Sequence, residues 1–174
     1  MLRLVCAIAL SLSTARLAGA GGITVGDRLP AFTVTAWDGT RLESTTLAGK
    51  PVVVDFWASW CAPCRAALPA LDQMARRLRA RGVIVLAVNI DRDRAAADAW
   101  LAERLPDHAV TLAQDPEGVF LARCGASGMP TVYVVDRDGV VRFAASGYAP
   151  ERVADVERAA GALVAPAAEA KDPS

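Results

Sequence analysis

Residues 52–57 (VVVDFW) and 83–90 (VIVLAVNI) form two nearly continuous apolar runs. Side chains on successive strand residues point to opposite faces of a sheet, so an apolar run without alternation predicts a strand buried on both faces. Residues 32–37 instead alternate apolar and small polar positions. Asp38-Gly39 then supplies a turn before residues 41–43, which predicts a two-strand hairpin. After Cys61 the period changes. Leu68, Leu71, Ala75 and Leu78 recur at helical spacing and define one apolar face. Arg76, Arg77, Arg79 and Arg81 fall largely outside that face, and we read them as a solvated surface in preference to an anion-binding patch. Pro69 predicts a kink and Gly82 an end to this helix.

Further along, residues 93–105 are alanine-rich and helical, 110–113 a short strand, and 118–124 a short helix. Residues 131–136 and 140–145 form paired strands around Asp138-Gly139. A helix over 150–164 opens on Pro150. Strand–helix–strand–helix followed by a hairpin and a helix predicts an α/β fold, with a central mixed sheet flanked by helices on both faces.

The ends of the chain read differently. Residues 1–20 carry Arg3, a short apolar run and the small-residue sequence Ala18-Gly19-Ala20. That is the pattern of an export signal, too short to span a bilayer in the usual way, with an uncleaved anchor as the alternative. Cys6 is read as a small apolar residue of that signal. Residues 21–164 form the folded domain, and 165–174, rich in Ala, Pro and charge, are expected to be disordered. Basic and acidic residues balance at 19 each, which gives no electrostatic footprint for nucleic acid. Cleavage after Ala20 removes one of the four cysteines, leaving Cys61, Cys64 and Cys124. An odd number in an exported chain argues for one redox pair plus an extra thiol over a structural disulfide framework. Cys124 is taken to be buried as a small hydrophobe, with a regulatory thiol as the alternative.

Cys61-Ala62-Pro63-Cys64 stands immediately after an apolar strand and opens a helix. The first helical turn presents unpaired N–H groups and the positive end of the macrodipole, which favour a thiolate. A dithiol–disulfide exchange site follows. Cys61, at the exposed end of the helix, is the attacking thiolate, and Cys64, one turn deeper, resolves the mixed disulfide. Zinc needs two further ligands, and only Cys124 and the single His108 are on offer, so no metal site is expected. The only redox group expected is the Cys61–Cys64 pair itself. Asp55, an acid on a strand buried on both faces, should have a raised pKa unless Lys50 pairs with it. Pro63 stiffens the loop and removes an N–H donor.

The run VVVDFWASWCAPC, Pro69, VNID, DPEG and GASGMPT before a strand resemble the exported thiol–disulfide oxidoreductases of the TlpA/ResA type, in the thioredoxin superfamily. The leading hairpin and the additional helix and strand between Asp91 and Asp115 match this exported branch. The resemblance implies a thioredoxin-like fold and a proton-accepting Asp55 beneath Cys64. It also implies a cis peptide before Pro130 that sets the Met129 backbone against an extended substrate, with Trp60 as a wall of the docking surface. It further implies a protein-disulfide substrate, a membrane donor of reducing equivalents, a monomeric state, and an exported or periplasmic location, soluble or anchored. Work in cytochrome c or cytochrome oxidase biogenesis is the implied setting. One departure bears on the substrate: Ala67 stands where that branch often carries a Glu in CxxCRxExP, while Asp55 stands where it often has Asn. The absence of His between the cysteines favours a reductase. The alternatives are a disulfide oxidant or isomerase, and a copper-handling module using the thiols with Met129.

Overall fold

A computed structural model describes residues 22–164. The export signal expected over 1–20 and the tail over 165–174 lie outside the described residues. The elements run in the expected order. A hairpin, β1 (Thr33–Ala36) and β2 (Arg41–Glu43), is followed by a 3-10 turn, Ser44–Leu47. Then come β3 (Val52–Trp57), α1 (Ala62–Arg79), β4 (Ile84–Asn89), α2 (Ala95–Arg104), β5 (Thr111–Gln114) and α3 (Val119–Cys124). β6 (Thr131–Val135), β7 (Val141–Ser146) and α4 (Pro150–Ala162) complete the fold.

These strands form one seven-stranded mixed sheet in the order β2-β1-β5-β4-β3-β6-β7. β3, β4 and β5 are parallel, and the remaining pairings are antiparallel. The leading hairpin therefore extends the sheet at its edge through β5. β3 is buried at every position, as its apolar run requires. Its alternate residues feed two cores. Val53 and Trp57 meet Leu68, Leu71 and Met74 of α1 with Leu101 of α2 and Val156 of α4, whereas Val52, Val54 and Phe56 meet Phe120 of α3 with Phe32 and Tyr133. Helices thus cover both faces.

α1 runs unbroken through Pro69, and its buried side includes Leu68, Leu71, Ala75 and Leu78 as expected. The same side also buries Asp72, which accepts N–H bonds from Ala109 and Val110 and pairs with Arg76. One carboxylate on α1 thereby fixes the loop that leads into β5. Asp115 works in the same way for α3: its carboxylate accepts from the N–H groups of Val119, Phe120 and Leu121, all unpaired donors of a first turn. The preceding Gly118 has φ +64°, a left-handed conformation that glycine adopts without a Cβ penalty.

Candidate active site

The C-terminal ends of β3, β4 and β5 share one end of the sheet, and the chain leaves β3 there through Ala58-Ser59-Trp60. The loop is anchored from β4. The Asp91 carboxylate accepts from the Ser59 backbone N–H at 2.8 Å, the Ser59 hydroxyl at 3.1 Å and the Asn89 amide at 2.8 Å. Asn89 in turn accepts from the Asp91 N–H, and its carbonyl accepts from Asp115. Asn89 and Asp91 are both buried, and this network fixes the chain two residues before Cys61. The sequence reading missed these residues as positioning groups. Their signal was present, since VNID places two polar side chains at the end of a run otherwise buried in the sheet.

Cys61 is the N-cap of α1, in an extended conformation. Its sulfur accepts from the Cys64 N–H at 3.3 Å, the one hydrogen bond given to either sulfur. Pro63 offers no N–H and occupies the first turn. Cys61 and Cys64 are joined in a disulfide with Cα atoms 5.2 Å apart. Cys64 is fully buried, while Cys61 retains 7 % exposure, so Cys61 is the sulfur that solvent can reach. Trp60 beside it is 67 % exposed, and Ala62 and Pro63 are exposed as well. Trp57, three residues earlier, is fully buried against Trp100 with ring centroids 5.6 Å apart.

The Met129–Pro130 peptide is cis. β6 starts at the next residue, and Thr131 pairs with Phe56 across the antiparallel β3–β6 ladder. The cis bond therefore stands at the same end of the sheet as the Cys61 loop. Met129 is half-buried and packs against both cores.

Asp55 is buried, and its Oδ2 has no hydrogen-bond partner. Burial alone pushes its carboxyl well above the usual range, because the charged form loses hydration without compensation. Asp55 lines a narrow cleft with Ala67, Leu71, Pro130, Tyr148 and Arg152. Arg152 donates to the carbonyls of Ser146 and Gly147. Ala67 follows Cys64 by three residues and so shares its helix face. Ala67 and Asp55 open onto the same cleft. Lys50 forms no ion pair with Asp55; it lines a groove with Arg79 and Arg137 at the opposite end of β3.

Cys124 is fully buried, and burial together with the nearby Asp115 charge pushes its thiol up to about 12. It packs in the second core with Phe120 and Tyr133, as the small-hydrophobe reading expects. His108 bonds the Val110 carbonyl where β5 begins, at the end of the sheet away from the disulfide. Among the described residues no three His, Cys, Asp or Glu side chains gather as a metal site.

A mixed sheet of this order, with a Cys-X-X-Cys disulfide capping the helix after its central strand and a cis-proline at the same end, defines a thiol–disulfide oxidoreductase of thioredoxin-like fold. Residues 24–163 match the Redoxin family, and the chain belongs to it. It is similar to the thiol-disulfide oxidoreductase ResA of Bacillus subtilis, 28% identical over 141 residues, covering 81% of this chain and 78% of ResA. The thiol:disulfide interchange protein DsbE of Pseudomonas aeruginosa is 30% identical over 131 residues, covering 74% of this chain and 70% of that protein. The crystal structure of a DsbE-type thiol:disulfide interchange protein from Chlorobium tepidum superposes with a TM-score of 0.74 at 34% identity, covering 81% of this chain and 98% of that one.

Proposed function

We propose that this chain is an exported protein-disulfide reductase. The observation that carries the reading is the Cys61–Cys64 pair at the start of α1, with only Cys61 open to solvent. In the reduced protein the Cys61 thiolate attacks one sulfur of a substrate disulfide. The Cys61–substrate S–S bond forms as the substrate S–S bond breaks, and one substrate thiolate leaves. Cys64 then loses its proton and attacks the Cys61 sulfur. The mixed disulfide breaks, the second substrate thiolate leaves, and the internal disulfide forms. Two electrons pass from the dithiol to the substrate.

Asp55 is the acceptor of the Cys64 proton. A raised pKa makes it a more effective base near neutral pH than an ordinary carboxylate. Trp60, Pro63, Met129 and Pro130 form the docking edge, where the Met129 backbone pairs with an extended substrate segment. Reduction is favoured over oxidation because the helix N-terminus supports the Cys61 thiolate through a single N–H donor, and Pro63 withholds another. Strong oxidants of this fold owe their potential to a stabilised reduced form. The oxidised protein is then recharged by a dithiol donor at the membrane, and the resemblance to the TlpA/ResA type supports a setting in cytochrome c or cytochrome oxidase biogenesis.

The test uses single-cysteine variants mixed with a protein disulfide such as insulin and resolved without reductant. Cys64→Ser should accumulate a covalent adduct with substrate, and Cys61→Ser should form none. An adduct on Cys64 alone would reverse the assigned roles.

A further inference from the structure

A chain of hydrogen bonds runs from α4 to the cis-proline. Arg152, in the first turn of α4, reaches back across the corner from β7. Its Nη1 donates to the carbonyl of Ser146 and, at 3.1 Å, to that of Gly147. The Gly147 N–H in turn donates to the Pro130 carbonyl at 2.8 Å. A second link runs through hydroxyls. Thr131 donates to the Gly128 carbonyl at 2.6 Å, and the Ser146 hydroxyl lies 2.8 Å from that of Thr131. Thr131 has one hydroxyl proton, already used, so Ser146 is the donor of that pair.

The segment that carries Met129 and the cis peptide is thus tied, at Pro130 and through Thr131, to the turn Ser146-Gly147. Both turn residues are exposed, as is Gly128. Packing therefore does not fix this corner, and hydrogen bonds must. Gly147 sits at φ +78°, a conformation that favours glycine. Arg152 is suited to hold it, because a guanidinium offers rigidly placed donors to neighbouring acceptors. It enters no ion pair among the described residues. Nor is it the counter-ion of Asp55, although the two line one cleft. Its Nη1 is committed to carbonyls, and burial is the sole cause of the raised Asp55 carboxyl.

We propose that Arg152 is a positioning residue for substrate docking. By holding the Ser146 and Gly147 carbonyls, it fixes residues 128–131 and aims the Met129 backbone at an extended substrate segment. The inference rests on the docking edge of the proposed function. Backbone pairing demands aligned donors and acceptors. A loosened edge therefore penalises disulfides carried on a peptide chain and spares small disulfides that have no backbone to pair.

The first step of exchange tests this, in the full chain carrying Cys64→Ser so that an adduct on Cys61 persists. Rates of adduct formation are compared for insulin and for dithiodipyridine, which has no peptide backbone. Adding Arg152→Ala should slow attack on insulin about tenfold to a hundredfold and leave attack on dithiodipyridine unchanged. Arg152→Lys keeps a donor for the carbonyls and should recover part of the loss. If Arg152→Ala does not fold, Ser146→Ala removes one tie at an exposed position and should show a smaller loss of the same selective kind. Equal slowing of both reactions, or no slowing of either, overturns the proposal. Failure of the reductase reading looks different: insulin adducts form normally, but the intact dithiol gives no net reduction of insulin.

Discussion

At the scale of single residues, the proposed chemistry rests on two sulfurs and one carboxyl. The sulfurs are legible because Cys-X-X-Cys after a buried strand has few other uses. Asp55 is legible as an anomaly, an acid within an apolar run, and the structure shows that no cation answers it. A carboxyl raised in the folded state keeps its proton where the unfolded chain, near pKa 3.9, has lost it. Its contribution to stability therefore declines as pH rises from that value through the folded pKa. Asp55→Asn removes this dependence. Its stability relative to wild type should grow between pH 4 and pH 8 by about 1–3 kcal/mol, read by denaturant unfolding at each pH. The same variant should slow resolution of the mixed disulfide by about a hundredfold at pH 7, measured by stopped flow. A parallel pH profile for the two proteins, or an unchanged resolution rate, removes Asp55 from the mechanism.

At the scale of elements, periodicity located every helix and strand to within a residue or two. The boundaries move because side-chain hydrogen bonds to nearby backbone decide them. α2 starts at Ala95 where the sequence predicted 93, after a turn in which the Asp93 side chain accepts from the Ala95 N–H. The 3-10 turn at Ser44–Leu47 had no periodic signal, being one turn long and free of buried residues. The loop anchor was harder to see, because its partners come from two strands. Ser59 meets Asp91 across 32 positions of sequence, and no local pattern encodes that distance. Asp91→Ala would leave the Ser59 N–H and the Asn89 amide without their acceptor, at a cost of about 2–4 kcal/mol. Hydrogen exchange at Ser59 and Trp60 should accelerate more than in the sheet, and attack by Cys61 should slow. Uniform destabilisation without this local change would mean that the network supports the fold and not the loop.

At the scale of the whole molecule, the balanced total charge conceals an uneven distribution of it. One end of the sheet holds the disulfide, the cis-proline and an exposed Trp60. The other end gathers Lys50, Arg79 and Arg137 around one groove. The first end could be read from motifs, since its residues are contiguous or carry a family resemblance. The second could not, because Lys50, Arg79 and Arg137 come from three separate stretches of chain that only the sheet topology assembles. What the fold leaves to the residues around Cys61 is the direction of electron flow.

The reduction potential of the Cys61–Cys64 couple, equilibrated against glutathione or dithiothreitol, tests that direction most directly. The scale runs from about −270 mV for thioredoxin to about −120 mV for DsbA. One N–H donor to Cys61 and a proline in place of another predict a value near the thioredoxin end. A value near the DsbA end would contradict the account and make this protein an oxidant of its substrates.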